Sequence, residues 1–182
     1  MRILLVNPPR SPHNDIFDHA PAEARRFIHR KLIGPPLGLL TVAAAVPDRE
    51  VTVLDMKGEY DLDPQAPPPE ELMRRWLERT RPGIVGTTCI ASELNAGMKI
   101  LRTARSFDPS ILTVAGGLHA TLCPGDFEGG AADVVCPGPS AHVFRKVVEA
   151  REKGEPLESV AGICLAREGR LSRTAPTPAP PA

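Results

Sequence analysis

The sequence predicts an α/β domain of three layers, with a parallel five-stranded sheet covered by helices on both faces and a C-terminal edge hairpin. Three observations predict it. Short apolar runs without polar alternation recur along the chain (MRILLV, GIVG, ILTVA), as expected of strands buried on both faces. Each run ends in small residues or proline: Asn7-Pro8-Pro9, Thr87-Thr88 and Gly116-Gly117. Between the runs lie segments whose apolar residues recur at helical spacing. Such alternation describes a flavodoxin-like or Rossmann-like domain, whose ligands sit beyond the carboxyl ends of the strands.

The elements follow in order. Arg2 to Val6 is the first strand, and residues 7–33 form a long, charged loop in which HAPAEARRFIHRKL has the makings of a short helix. A loop of that length in a compact domain is usually functional or mobile. Gly34-Pro35-Pro36 breaks it, and LGLLTVAAAV reads as a helix laid on the sheet. Pro47-Asp48-Arg49 turns the chain into the second strand, Glu50 to Leu54, which Asp55 ends. Residues 57–69 are acidic and proline-rich and read as a surface connection. EELMRRWLERTR is an amphipathic helix with Leu72, Trp76 and Leu77 toward the core, and Pro82 punctuates it. The third strand is Ile84 to Thr87. Leu94 to Phe107 is a helix with Met98, Leu101 and Ala104 on its apolar face, stopped by Asp108-Pro109. Ile111 to Ala115 and Asp133 to Cys136 supply the fourth and fifth strands, and His142 to Lys153 the last main helix. SVAGICLAREGRLSRT folds as two short strands around Glu168-Gly169. Residues 1–174 therefore form the domain, and 175–182, rich in proline and alanine, read as a linker toward a further domain.

Composition narrows the function. The chain has 182 residues, 22 basic and 22 acidic, and a net charge of zero. Neither nucleic acid nor an anionic membrane is favoured as a partner. Aromatic residues are only 4%, which leaves little for base stacking. The N-terminal apolar run is too short for a signal peptide, and no stretch approaches the roughly 18 apolar residues of a membrane span. The four cysteines are scattered without CxxC spacing, so they read as reduced core or strand-end thiols of a cytoplasmic protein. Closely grouped thiolates hold an iron–sulfur cluster, and this chain has no such group.

The loops beyond the strand ends carry Gly, Thr, Ser and Pro but few acids, bases or nucleophiles. They suit gripping a large cofactor better than catalysis by side chains. A dinucleotide site would place GxGxxG after the first strand, where this chain has NPPRSPHND. No P-loop is present, and no cluster of acids lies at the strand ends. In GTTCIASELN, Thr88 and Ser92 offer hydroxyls and Ile90 an apolar wall. In AGGLHATLCPGD, Gly116 and Gly117 remove side chains where a bulky group would slide against the sheet. Together they describe a narrow slot with one polar edge.

MRILLVNPP, PPLGLLTVAAAV, EVTVLDM, PGIVGTTC and TVAGGLHAT, in that order and followed by VAGICLAREGRLSRT, resemble the cobalamin-binding domain found ahead of radical S-adenosylmethionine (SAM) domains. The resemblance covers nearly the whole chain. It implies that Thr88-Cys89-Ile90 and Gly116-Gly117 stand where the family lines a slot for the dimethylbenzimidazole nucleotide tail. By position at the strand ends and in the loops beyond them, Asn7, Pro8, Pro9, Pro36, Leu37, Gly38, Thr87, Ser92, Leu118, His119, Pro137 and Gly138 are the further candidate cofactor contacts. Pro36-Leu37-Gly38 in particular makes a rigid apolar wall for the corrin.

Two departures from the wider pattern matter. The methionine-synthase type of domain carries Asp-x-His-x-x-Gly after the first strand, its His ligating cobalt. Here Asn7-Pro8-Pro9-Arg10-Ser11-Pro12-His13 stands instead, which implies cobalamin bound base-off without a protein His ligand. His13 is the remaining candidate for that role, and Arg25, Arg26, His29, Arg30 and Lys31 form a basic stretch nearby in sequence. Gly138-Pro139-Ser140-Ala141 stands where the radical SAM group usually has Gly-Glu-Gly-Glu. The expected function is the cobalamin module of a radical SAM methyltransferase, catalytically silent alone. SAM and a [4Fe–4S] cluster would belong to a radical SAM domain, in cis or in trans. A free-standing cobalamin carrier or sensor and a nucleotide-binding α/β enzyme are the alternatives.

Overall fold

The computed structural model describes residues 1–10, 21–23, 34–63, 65–129 and 131–176. Its central strand β1 (Arg2–Asn7) lies parallel between β2 (Glu50–Asp55) and β3 (Ile84–Thr88). β4 (Leu112–Gly116) and β5 (Val134–Val135) extend the parallel order. The hairpin of β6 (Cys164–Arg167) and β7 (Arg170–Arg173) then pairs antiparallel along β5. The result is one mixed sheet of seven strands in the order β2-β1-β3-β4-β5-β6-β7. The expected parallel core of five is present, and the hairpin continues its edge.

Each central strand buries both faces, which is why its sequence shows no polar alternation. Leu4 and Val6 of β1 join one core cluster, while Ile3 and Leu5 join the other. α1 (Leu37–Ala44) and α6 (Ala141–Lys153) cover the face that holds Ile3 and Leu5. α3 (Pro69–Thr80) and α4 (Leu94–Phe107) cover the opposite face through Leu72, Met73, Leu77, Met98 and Leu101. Trp76 is half-buried against that cluster.

Two connections differ from expectation. Residues 57–69, read as an irregular surface connection, begin with α2 (Met56–Leu62). Met56 is fully buried and Tyr60 Oη donates to the Pro67 carbonyl at 2.6 Å, so packing supports a turn of chain that its composition does not announce. The segment after Gly116-Gly117 forms the five-residue helix α5 (Leu118–Leu122), followed by a 3-10 turn over Pro124–Phe127. Cysteine placement also differs in one case. Cys89, Cys136 and Cys164 are buried, whereas Cys123 is exposed. Among the described residues no helix is long and apolar enough to cross a membrane.

Candidate functional site

The strand order reverses between β1 and β3: from β1 the chain passes first to β2 on one side, then to β3 on the other. Loops leaving these neighbours in opposite directions open a crevice at their carboxyl ends. A cavity of about 440 Å³ lies there, between the sheet, α1 and the start of α6. Small-molecule sites span roughly 300–1,000 Å³. Leu5, Gly86 and Val114 form its floor, Leu39 and Val42 one wall, and Phe144 the other.

The two loops read as a slot are laced together. Cys89 N–H donates to the Gly116 carbonyl and His119 N–H to the Cys89 carbonyl, both at 3.0 Å. The glycine pair divides its work. Gly117 has φ +97°, and a Cβ there would lie 2.5 Å from Thr88 Oγ1 and 2.8 Å from the backbone of Cys89. Only glycine permits that closure. Gly116 fronts the cavity, with ordinary spacing (3.7 Å) between an added Cβ and Ser140 Oγ.

Several hydroxyls fasten the rim. Thr87 Oγ1 donates to the Val6 carbonyl at 3.1 Å. Thr121 Oγ1 donates to the Gly117 carbonyl and accepts the Gly138 N–H, each at 2.9 Å, so it ties the loops after β4 and β5. Ser140 occupies the N-cap position of α6 without a side-chain capping bond, and its residue lines the cavity.

Of the residues singled out from sequence, Gly38, Thr87, Thr88, Gly116, Gly117, Leu118 and Gly138 line this cavity. Others stand elsewhere. The Cys89 side chain packs on the opposite face of the sheet, where an added Cβ at Gly97 would collide with its Sγ. Burial pushes the Cys89 thiol up to about 12. Asn7 is buried, and its Nδ2 donates to Asp55 Oδ1 at 2.7 Å. Pro8 is buried beside it. Pro9 and Ser92 line a second cavity of about 420 Å³ against α3 and α4. Pro36 and Pro137 are half-buried outside both linings. The His119 imidazole meets Asp126, Nε2 to Oδ2 at 2.8 Å. His13 and the basic stretch Arg25–Lys31 lie outside the described residues.

Leu37, Leu40, Ile90, Leu118 and Leu122 are large apolar side chains left exposed, and Leu118 among them lines the cavity.

Leu5, Leu39, Thr41, Val42, Gly86, Val114, Ala115, Thr121, Cys136, Pro139, Ser140, Ala141 and Phe144 also line the cavity, beyond the residues singled out. One sequence signal pointed to them: Gly86 interrupts a β-branched strand, which often marks a close approach.

The comparisons with known proteins agree with this architecture. A protein of Pyrococcus horikoshii described as "Uncharacterized methyltransferase PH0819" is 26% identical over 181 residues, covering 98% of this chain and 35% of its own length. Among solved structures, the radical S-adenosylmethionine methyltransferase TsrM of Kitasatospora setae, with cobalamin and a [4Fe–4S] cluster bound, superposes with a TM-score of 0.72 at 21% identity. That match covers 96% of this chain and 29% of TsrM. The cobalamin-dependent S-adenosylmethionine radical enzyme OxsB, with aqua-cobalamin and S-adenosylmethionine bound, gives 0.68 at 14% identity, covering 98% of this chain and 22% of OxsB. At these identities the structures show a shared fold, and this chain spans about a third or less of each relative's length. The family model described as "B12 binding domain" matches residues 26–148. That match takes in α1, the slot loops and most of α6, and on it the chain belongs to the B12-binding domain family.

Proposed function

We propose that this chain binds cobalamin base-off and serves as the cofactor module of a cobalamin-dependent radical SAM methyltransferase. The cavity at the crevice carries the reading. It is apolar on its floor and walls, hydroxyl-bearing at its rim, and bordered by the exposed Leu118. A flat aromatic base with a sugar-phosphate arm needs those two environments side by side. Gly38 and Gly116 leave the entry unobstructed, Thr88 and Ser140 offer hydroxyls, and Leu118 offers an apolar contact for the corrin. When bound, the corrin would supply a cobalt that carries a methyl group. The chain's own part is to hold the tail, orient the ring and shield its lower face.

The loop after β1 lacks the Asp-x-His-x-x-Gly pattern of a protein cobalt ligand, so the cofactor would be held by the slot loops and α1 without a His bond to cobalt. SAM and the [4Fe–4S] cluster are assigned to a radical SAM domain outside this chain, in cis or in trans. TsrM, a longer radical S-adenosylmethionine methyltransferase with a [4Fe–4S] cluster bound, supports that reading.

The test is retention of hydroxocobalamin by the purified chain, read by visible absorption after free ligand is removed. The expected spectrum is base-off. Gly116→Val should cut retention at least tenfold while leaving the far-ultraviolet circular dichroism unchanged, because its added atoms enter the cavity and not the core. Equal retention by wild type and variant would place the tail elsewhere. A His-ligated spectrum abolished by His13→Ala would keep the cofactor and reverse the ligand assignment.

A further inference from the structure

Helix α5 and the turn after it bring three donor side chains together on a patch distinct from the cavity lining. His119 lies in α5 and Cys123 is its C-cap, four residues on, where the last i→i+4 backbone bond of the helix links the two. Asp126 follows within the 3-10 turn Pro124–Phe127. One ligand atom from each residue lies within 4.8 Å of the other two. The backbone holds this register: Cys123 N–H donates to the His119 carbonyl at 2.8 Å, and Asp126 N–H to the Cys123 carbonyl at 3.1 Å.

We propose that His119, Cys123 and Asp126 bind a divalent transition metal of the zinc class, with the fourth position open to water. The donor set selects the ion. Imidazole and thiolate together suit zinc and its neighbours, whereas calcium and magnesium take oxygen ligands. Bond lengths of 2.0–2.3 Å put tetrahedral donors roughly 3.3–3.8 Å apart. The closest pair here, His119 Nε2 and Asp126 Oδ2, is at 2.8 Å, and rotamer adjustments of about 1 Å bring all three into range. Cys123 and Asp126 are exposed and free to make them, while His119 is held half-buried with its ring centroid 6.0 Å from that of Phe127.

A His–Asp hydrogen bond alone would account for two of these residues. The thiol is the independent observation. Cys123 is the exposed member of four cysteines whose other three are buried, and it stands where the third ligand is needed. The site is separate from the cobalamin reading, since none of its three residues lines the cavity. The two are mechanically joined, because Leu118 and Thr121 of the same helix do line it. A metal here would clamp α5 and steady that wall.

The experiment uses the corrin-free chain. Zn²⁺ is titrated against a chromophoric chelator, and Co²⁺ serves as the spectroscopic probe. The expected result is one metal per chain, with a thiolate-to-cobalt charge-transfer band in the near ultraviolet. Cys123→Ser should abolish the band. Cys123→Ser and Asp126→Asn should each weaken Zn²⁺ at least tenfold, with metal-free melting unchanged because both side chains are exposed. Zn²⁺ should also slow alkylation of Cys123 in the wild type. Gly116→Val should leave all of this intact, which separates failure of this site from failure of the cobalamin slot. Zn²⁺ binding equal in wild type and Cys123→Ser, or a Co²⁺ spectrum without the thiolate band, would overturn the proposal.

Discussion

At the residue scale, two adjacent glycines do different work. Gly117 is required by geometry: its backbone is left-handed and its missing side chain lets the β4 loop close on Thr88 and Cys89. Gly117→Ala should therefore destabilise the domain by about 1–3 kcal/mol from backbone strain, with the contact to Thr88 adding to it. Chemical denaturation would read this as a lower midpoint at unchanged slope. Gly116→Val, which meets ordinary spacing, should cost far less stability and act on the ligand instead. The cysteines give a second test. Burial pushes the Cys89 and Cys136 thiols up to about 12, and both need deprotonation to react. Below pH 9 these two thiols stay protonated, and Cys164 is shielded by burial, so native protein should show one fast-reacting thiol, Cys123, and four after denaturation. Fast reaction of a second native thiol would show that the sheet opens.

At the element scale, the edge hairpin is the place where local chemistry is least favourable. Glu168 and Gly169 both have positive φ, 50° and 79°, as a two-residue turn of the primed kind demands. Glycine adopts that conformation freely, whereas glutamate does so at a steric cost that asparagine largely escapes. Glu168→Asn should stabilise the domain by about 0.5 kcal/mol, visible as a small rise in melting temperature. α2 and α5 make a related point. Neither was expected from sequence, and both are short. α2 is held by buried Met56 and by the Tyr60 hydroxyl on the Pro67 carbonyl. α5 is only five residues long, with Gly117 at its N-cap and no side-chain capping bond, and Thr121 ties it to the neighbouring loops. Short helices are marginal alone, so these owe their existence to distant contacts. By contrast, α4 runs from Leu94 to Phe107 as its apolar spacing predicts. Fourteen residues with one buried face carry their own signal.

At the scale of the whole molecule, the cavity lies where β1 and β3 part, and its walls come from α1, α5, α6 and three strands. Binding there links distant parts of the chain, so ligand should stabilise the fold as a unit. At a hydroxocobalamin concentration 100 times its Kd, mass action predicts a gain of about 2.7 kcal/mol. A thermal scan with and without the corrinoid would show a raised midpoint in wild type and almost none in Gly116→Val. A shift produced by a nucleotide and not by the corrinoid would favour an ordinary nucleotide-binding α/β domain.

The α/β class, the five parallel strands, the edge hairpin and the two loops that form the slot were all legible in the amino-acid order. Each depends on residues close in sequence: unbroken apolar runs, helical spacing, and glycine or proline at the turns. The motifs carrying the family resemblance lie in those same runs and loops. The cavity's full lining was not legible. Leu5, Val114, Leu39 and Phe144 look like any core residues, since periodicity tells which way a side chain points but not whether another meets it there. The turning of Cys89 to the far face, the split roles of Gly116 and Gly117, and the meeting of His119, Cys123 and Asp126 likewise required the fold. They depend on distances between loops that only the packed sheet brings together.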